Sequence, residues 1–368
     1  MQQVNVISPI HIGTGEKYPN YTIINSQRYL FDDLIGVTFS RNKAKLLSPN
    51  FLTKIMTINQ SKSGDAKREI AELISPNEIE RKNLKPVYNV KLGTPKTNQL
   101  DINEHTKNLN QLMIPGSSMK GYIMNVIYYD IVKNDPEIQR YYQQNLANRR
   151  EIENVERNVN MIAGSKIICR DILFDSSPTI KLVTRITKKG GIPNVFECID
   201  TNASTQGEFF IKNQSIMSDE RLKPHEKKLL QAIEQRLNNL KVIFPKINAQ
   251  FMRNVLIYEK EFIDKINVRD DIDKHAIYQQ ISRIEQELSK GKIIVQIGRN
   301  TNYIAKSIGT AFDVDFYKNN FETLFYPGMG KGNNKQIAKP YTIGSMNLVS
   351  QDQYENYVEI PGFMEIVW

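Results

Sequence analysis

Ile114-Pro115-Gly116-Ser117-Ser118-Met119-Lys120-Gly121 is the stretch from which the fold can be read. An apolar run over 112–114 is broken by Pro115 and Gly116, the two residue types that most strongly interrupt regular structure. Behind the break Met119, Tyr122, Ile123, Val126, Ile127 and Ile131 recur at helical spacing. That spacing predicts a helix over 118–133 with one face in the core. Ser117 or Ser118 is the expected N-cap, its hydroxyl accepting from a first-turn N–H. Such a helix mouth carries backbone N–H groups, two hydroxyls and Lys120, and favours a phosphate. A capped helix with an incidental lysine has the same local signature, so this stretch fixes a strand-to-helix turn before it fixes a ligand.

Towards the N-terminus, Val4-Asn5-Val6-Ile7 alternates as a strand and ends at Ser8-Pro9. Ile10-His11-Ile12-Gly13-Thr14-Gly15 follows, and its two glycines predict a tight backbone open to a ligand, or a simple turn. His11 is a candidate for base stacking, phosphate contact or acid–base work, or is structural. Residues 21–24 and 29–31 read as strands, and Asp32 and Asp33 as caps for the segment after them. The stretch 41–85 is polar and basic and reads as a surface insertion with helical pieces over 51–56 and 65–74. A strand over 86–92 and a long polar loop over 93–110 complete this part.

Beyond the 118–133 helix, 136–161 reads as a second, highly charged helix and 166–174 as one alternating strand. A strand over 180–187 leads into a basic turn at Lys188-Lys189-Gly190-Gly191, and 195–199 with 208–211 reads as a strand pair. At Ser218 the composition shifts to amphipathic helices over 219–241, 247–266 and 272–288, with charged faces for solvent or for a protein partner. Gly291 is their expected C-terminal stop. Ile293-Ile294-Val295-Gln296-Ile297 is a continuous, hence buried, strand. It runs into Gly298-Arg299-Asn300-Thr301-Asn302-Tyr303 and a short helix over 304–308 carrying Lys306, a second anion-friendly turn. A flexible basic loop over 326–332 and strands over 341–349 and 363–367 close the chain. The order strands, glycine loop, helix, strands occurs in both halves.

The chain has 368 residues, room for two domains, and 49 Lys+Arg against 40 Asp+Glu give a net charge of +9. That excess favours a polyanionic partner. Cys169 and Cys198 form no CxxC motif, and His11, His105, His225 and His275 are scattered without metal-ligand spacing. No metal or other cofactor is expected, and the free thiols suit a reducing compartment. Residues 1–10 carry no basic, apolar leader and no run approaches membrane-spanning length, so the expected location is cytoplasmic, away from membranes.

Ser8-Pro9-Ile10-His11-Ile12-Gly13-Thr14-Gly15 resembles the N-terminal signature of the RAMP superfamily of CRISPR proteins. The Ile114–Gly121 stretch quoted above is similar to the superfamily's most specific motif, and 171–176 looks like its following strand with Asp-Ser. Val295-Gln296-Ile297-Gly298-Arg299 with Lys306 resembles the C-terminal glycine-rich element of the fifth subunit of the Csm complex, the type III-A effector. Four motifs in order span nearly the whole chain. The resemblance implies an α+β protein of two ferredoxin-like (RRM-like) domains, 1–217 and 218–368, the second with a helical insertion over 219–290. It implies a non-catalytic subunit that caps the crRNA 3′ end beside the backbone RAMP subunits. Its implied partners are crRNA, other Csm subunits, target RNA at the end of the complex, and host nucleases that trim the 3′ end during crRNA maturation in antiviral defence. The RNA-binding residues would be His11, Gly13, Gly15, Ser117, Ser118, Lys120, Gly121, Gly298, Arg299, Asn300, Thr301 and Lys306. Two departures stand out: Met124 occupies a place usually held by arginine, and Asn300 and Asn302 stand where further glycines are common. The loop 13–20 offers Glu16 but no aspartate, whereas backbone subunits cut RNA with an aspartate there. The enzymatic alternative is a metal-free crRNA-processing endoribonuclease using His11. A protein-docking scaffold with incidental basic charge is a third reading.

Overall fold

The computed structural model describes residues 1–41, 48–50, 53, 76–92, 101–145, 149–187, 190–212, 221–266, 271–301, 303–306, 311–312, 345–351 and 356–368. The expected helical pieces over 51–56 and 65–74 fall almost wholly outside them, as do Lys188, Lys189, Asn302 and the loop over 326–332.

The first and last strands of the chain are neighbours. A four-stranded antiparallel sheet runs in the order Ser204–Gly207, Gln2–Val6, Phe363–Val367, Ile293–Gln296. Val4 stands opposite Ile366 and Val6 opposite Met364. Alternation along Gln2–Val6 turns Val4 and Val6 into the core and leaves Gln3 outside. Ile293–Gln296 is buried at every position, as the apolar run Ile293-Ile294-Val295 demands, and polar Gln296 is buried with it. Strands from either side of position 217/218 therefore share this sheet.

A second, mixed sheet runs Tyr357–Glu359, Ser345–Ser350, Thr179–Thr187, Gly190–Cys198, Ile102–His105, Gly13–Tyr18. Gly13–Tyr18 is its edge strand, paired to Ile102–His105 with an irregular register between Gly13 and Lys17. Several local expectations are corrected. The polar stretch 93–110 contains two strands, Ile102–His105 and Lys107–Asn108. The charged helix over 136–161 is two, Pro136–Asn145 and Arg149–Ala163. Gly190 already belongs to the strand Gly190–Cys198, and residues 208–211 do not pair with it: Phe209–Ile211 lies against Ile167–Cys169. Phe31 opens a helix, Phe31–Arg41, with Asp32 and Asp33 in its first turn, where carboxylates suit the helix dipole.

The motif helix runs Gly116–Asn134, and neither serine caps it. Pro115 takes the N-cap position, and the Gly116 N–H donates to the Asp171 carboxylate at 2.8 Å. Asp171 reaches that position because the expected strand over 166–174 is broken in two. Ile167–Cys169 pairs with Phe209–Ile211, and Ile172–Phe174 pairs with Gln111–Ile114. The break at Arg170-Asp171 brings the backbone so close that a Cβ on Gly116 would lie 2.0 Å from the Cys169 carbonyl oxygen.

The helices of 219–290 are Pro224–Asn238, Leu240–Lys265 and Lys274–Ser289, and they are part of the core. Phe251 packs on Tyr122 and Tyr129 of the motif helix, with ring centroids 6.0 and 5.3 Å apart. The Tyr122 hydroxyl donates to Asn248 Oδ1 at 2.6 Å, and Asn248 Nδ2 donates to the Ile294 carbonyl at 2.9 Å. One buried amide thus ties the motif helix to the strand that feeds the Gly298 loop. No helix among the described residues is long and apolar enough to cross a membrane.

Gly116→Ala must push rigid backbone apart, and it is expected to cost at least about 2 kcal/mol. Urea denaturation would read this as a lower midpoint with an unchanged slope.

Candidate functional site

Three segments distant in sequence meet around one cleft of about 620 Å³. Gly13, Thr14 and Gly15 come from the start of the edge strand, and Ser118, Gly121, Tyr122 and Asn125 from one side of the motif helix. Gln296, Ile297, Gly298, Arg299 and Thr301 come from the end of the buried strand and its loop, with Lys306 on the 3₁₀ turn Tyr303–Lys306.

Backbone hydrogen bonds hold the segments together. The Arg299 N–H donates to the His11 carbonyl at 2.8 Å, the Ile297 N–H to the Gly362 carbonyl at 2.8 Å, and the Gly362 N–H to the Pro9 carbonyl at 3.0 Å. Gly298 makes this possible. Its φ is +112°, and a Cβ there would stand 2.6 Å from the His11 carbonyl oxygen, so only glycine fits on both counts. Thr301 Oγ1 closes the turn by donating to the Gly298 carbonyl at 2.8 Å.

The cleft is basic. Its lining, among the described residues, contains Arg299 and Lys306 and no carboxylate. Among the described residues neither cation takes part in a salt bridge, and Lys306 Nζ donates to the Arg299 carbonyl at 3.3 Å. Lys306 stands exposed at the rim, yet crowding around its ammonium and then the Arg299 guanidinium draw its pKa down to about 8. At Gly121 an added Cβ would meet nothing within 4 Å, so packing does not demand glycine there.

Beneath the edge strand lies a buried polar layer. Glu197, fully buried, accepts from the Tyr18 hydroxyl at 2.6 Å, the Tyr88 hydroxyl at 2.7 Å and the His105 N–H at 3.0 Å, and pairs with Lys107. The four donors are what make a buried carboxylate tolerable. His11 is 1% exposed, and its Nδ1–H donates to the Glu197 carbonyl at 2.8 Å, leaving Nε2 without a partner among the described residues. Burial lowers its pKa to about 4 and that of the adjacent His105 to about 3, so both rings are neutral at pH 7.

Of the residues expected to contact RNA, Gly13, Gly15, Ser118, Gly121, Gly298, Arg299, Thr301 and Lys306 line the cleft. His11, Ser117, Lys120 and Asn300 do not. Ser117 is exposed on the first helical turn, and Lys120 is half-buried, its ammonium side facing Gly164. Asn300 is buried, and its carbonyl accepts from Asn347 Nδ2 at 2.9 Å. Sequence reasoning missed Thr14, Tyr122, Asn125 and Gln296. Gln296 had a readable signal, a lone polar side chain in an otherwise apolar buried strand. It is 1% exposed, its Nε2 donates to the Pro361 carbonyl at 3.2 Å, and its Oε1 has no partner among the described residues. An orphaned buried acceptor costs about 1–3 kcal/mol.

No family model and no curated protein sequence matches the chain. Solved structures do. A chain of the Csm–crRNA–target RNA ternary complex of a type III-A CRISPR-Cas system, seen by cryo-EM, matches with a TM-score of 0.60 at 16% identity, over 100% of both chains. The crystal structure of T. onnurineus Csm5 matches with a TM-score of 0.60 at 15% identity, over 99% of this chain and 100% of that one. The protein therefore shares the Csm5 fold along its whole length, in keeping with the four ordered motifs.

The buried layer sets the acid response. His11 and His105 ordinarily titrate near 6.5, so below that pH the unfolded chain binds protons that the folded chain refuses, and stability falls as pH falls. Glu359 opposes this, because burial raises its pKa from 4.5 to about 7 and the folded chain takes up a proton first. Two imidazoles outweigh one carboxyl. The urea midpoint is expected to drop between pH 6.5 and 4.5, and Glu359→Gln to steepen the drop.

Proposed function

We propose that this chain is a non-catalytic crRNA-binding subunit of a type III-A CRISPR effector complex, and that the cleft receives the sugar–phosphate backbone of the guide. The observation that carries this reading is the convergence of glycine-bearing segments, a strand start, a helix and a loop, on a cleft whose described lining holds Arg299 and Lys306 and no carboxylate. Glycines let backbone approach backbone, and two cations without a salt-bridge partner among the described residues suit phosphates. Gly13, Gly15, Ser118, Gly121 and Thr301 form the walls, and Arg299 and Lys306 hold charge. The fold shared with Csm5, and with a chain of a complex that carries crRNA and target RNA, supports the same assignment. On this reading the chain consists of two ferredoxin-like units, each giving two strands to the four-stranded sheet. It caps the crRNA 3′ end beside backbone subunits, with other Csm subunits and host nucleases as partners in crRNA maturation.

The endoribonuclease alternative is less well supported. A general base must come within about 3 Å of the hydroxyl it deprotonates. His11 lies 1% exposed with its carbonyl committed to the Arg299 N–H, which suits a positioning role. Purified chain is accordingly expected to leave crRNA intact without metal, and metal-free cutting abolished by His11→Ala would reverse this assignment.

Binding to single-stranded RNA is expected to weaken with salt. Arg299→Ala and Lys306→Ala should each lower the slope of log K against log salt by roughly 0.7, similarly across sequences. Wild-type affinity should also fall from pH 7 to 9 as Lys306 loses its proton, and Lys306→Ala should remove that fall. Unchanged affinity in both variants would refute the phosphate assignment.

A further inference from the structure

A second cavity, of about 220 Å³, lies among the helices Pro136–Asn145, Arg149–Ala163 and Pro224–Asn238 and shares no lining residue with the basic cleft. Its floor is apolar, made of the buried side chains of Ile138, Tyr142, Val155 and Leu229. One wall is the stacked pair Tyr141 and His225, with ring centroids 4.6 Å apart and planes within 20° of parallel. The Tyr141 hydroxyl and His225 Nε2 are enclosed, so neither is offered to a ligand. At the mouth Glu137, Arg140 and Gln144 are exposed. Lys228 is already held there, by Glu137 and by Asp135 at 3.5 Å. Arg140 takes part in no salt bridge among the described residues.

The volume lies below the roughly 300 Å³ at which pockets begin to take a drug-sized molecule, and it suits one large side chain. Protein interfaces concentrate their affinity in apolar pockets filled by a single anchor of this kind. Rings already form much of the lining, and an entering ring can pack against them edge to face or offset. Charge at the mouth decides what flanks that ring. The Arg140 guanidinium has no carboxylate of its own and can take one through two parallel hydrogen bonds. RNA fits less well. It carries a phosphate at every nucleotide, so a strand laid on Arg140 also sets phosphate against Glu137, whereas a peptide can place a single carboxylate. We propose that this cavity seats an aromatic side chain of a partner protein, with a carboxylate next to it in the partner's sequence held by Arg140. The inference is independent of the RNA reading of the cleft.

The test titrates the full chain with the capped dipeptides acetyl-Phe-Asp-amide, acetyl-Ala-Asp-amide and acetyl-Phe-Asn-amide, read by saturation-transfer NMR on the peptide. Acetyl-Phe-Asp-amide is expected to bind saturably. The Ala peptide should bind about tenfold more weakly, for want of the buried ring. The Asn peptide should bind about threefold more weakly, for want of the ion pair. Arg140→Ala should erase the difference between the Asp and Asn peptides, and Val155→Phe, which fills the cavity from its floor, should abolish binding of both. Should Val155→Phe fail to fold, the peptide series on the wild type and on Arg140→Ala, an exposed position, decides. No saturable binding of acetyl-Phe-Asp-amide, equal binding of the Ala peptide, or binding that survives in folded Val155→Phe would overturn the aromatic anchor. An Asp-over-Asn preference that persists in Arg140→Ala would overturn the role of Arg140. Displacement of the peptide by single-stranded RNA would assign the cavity to nucleic acid instead and overturn the proposal.

Discussion

The hydrogen bond from the Arg299 N–H to the His11 carbonyl is the contact on which the cleft depends. It joins a loop near the start of the chain to one near its end, and closing so long a loop has an entropic cost that a single hydrogen bond does not offset. The four-stranded sheet supplies what is needed, because Gln2–Val6 and Phe363–Val367 already lie side by side below the loops. His11 is then fixed at both ends. Its carbonyl meets Arg299, and its ring is held by the Glu197 carbonyl and packed on Phe196, 4.6 Å between centroids. A histidine whose chemistry invites a catalytic reading serves here as a backbone clamp, and its neutrality follows from burial, which disfavours the charged ring more than the nearby Glu197 favours it.

The parts of this architecture that are local in sequence were legible in it. The motif helix, the three helices of 219–290 and the buried strand before Gly298 follow from periodicity over windows longer than a turn. Non-local pairing was not legible. Nothing in the alternation of 166–174 says that its halves belong to different sheets, because the division is imposed by Asp171 meeting an amide fifty-five positions away. The same contact displaced the expected serine cap. The helices of 219–290 carry no recognisable motif, yet Asn248 among them spaces the motif helix from the Gly298 strand. An asparagine inside an amphipathic helix reads as a surface residue until its partners are known.

The candidate site was legible in its glycines and less so in its cations. Arg299 and Lys306 line the cleft, whereas Lys120, from the most specific motif, has its ammonium side turned towards Gly164. The rotation of one side chain about a helix axis is settled by what packs behind it, and residues near Lys120 in space, such as Gly164, lie far along the chain. Gln296 escaped notice for the opposite reason. A buried strand predicts apolar side chains, and a single glutamine within it looks like noise until its oxygen is found without a donor.

These placements change where the attraction for an anion comes from. A free helix N-terminus attracts anions through its unpaired amides and dipole, but here the first amide of the motif helix already has a carboxylate, Asp171. A phosphate approaching that terminus would meet like charge. On the proposed reading the attraction resides instead in the pair Arg299 and Lys306, which line the same cleft. Crowding around the Lys306 ammonium, and after it the neighbouring Arg299 guanidinium, make Lys306 give up its proton more readily than a free lysine. On that reading a phosphate would offset the repulsion between the two cations and hold Lys306 in its charged form. The helix then contributes shape, through Ser118 and the open space at Gly121, and the cations contribute the charge.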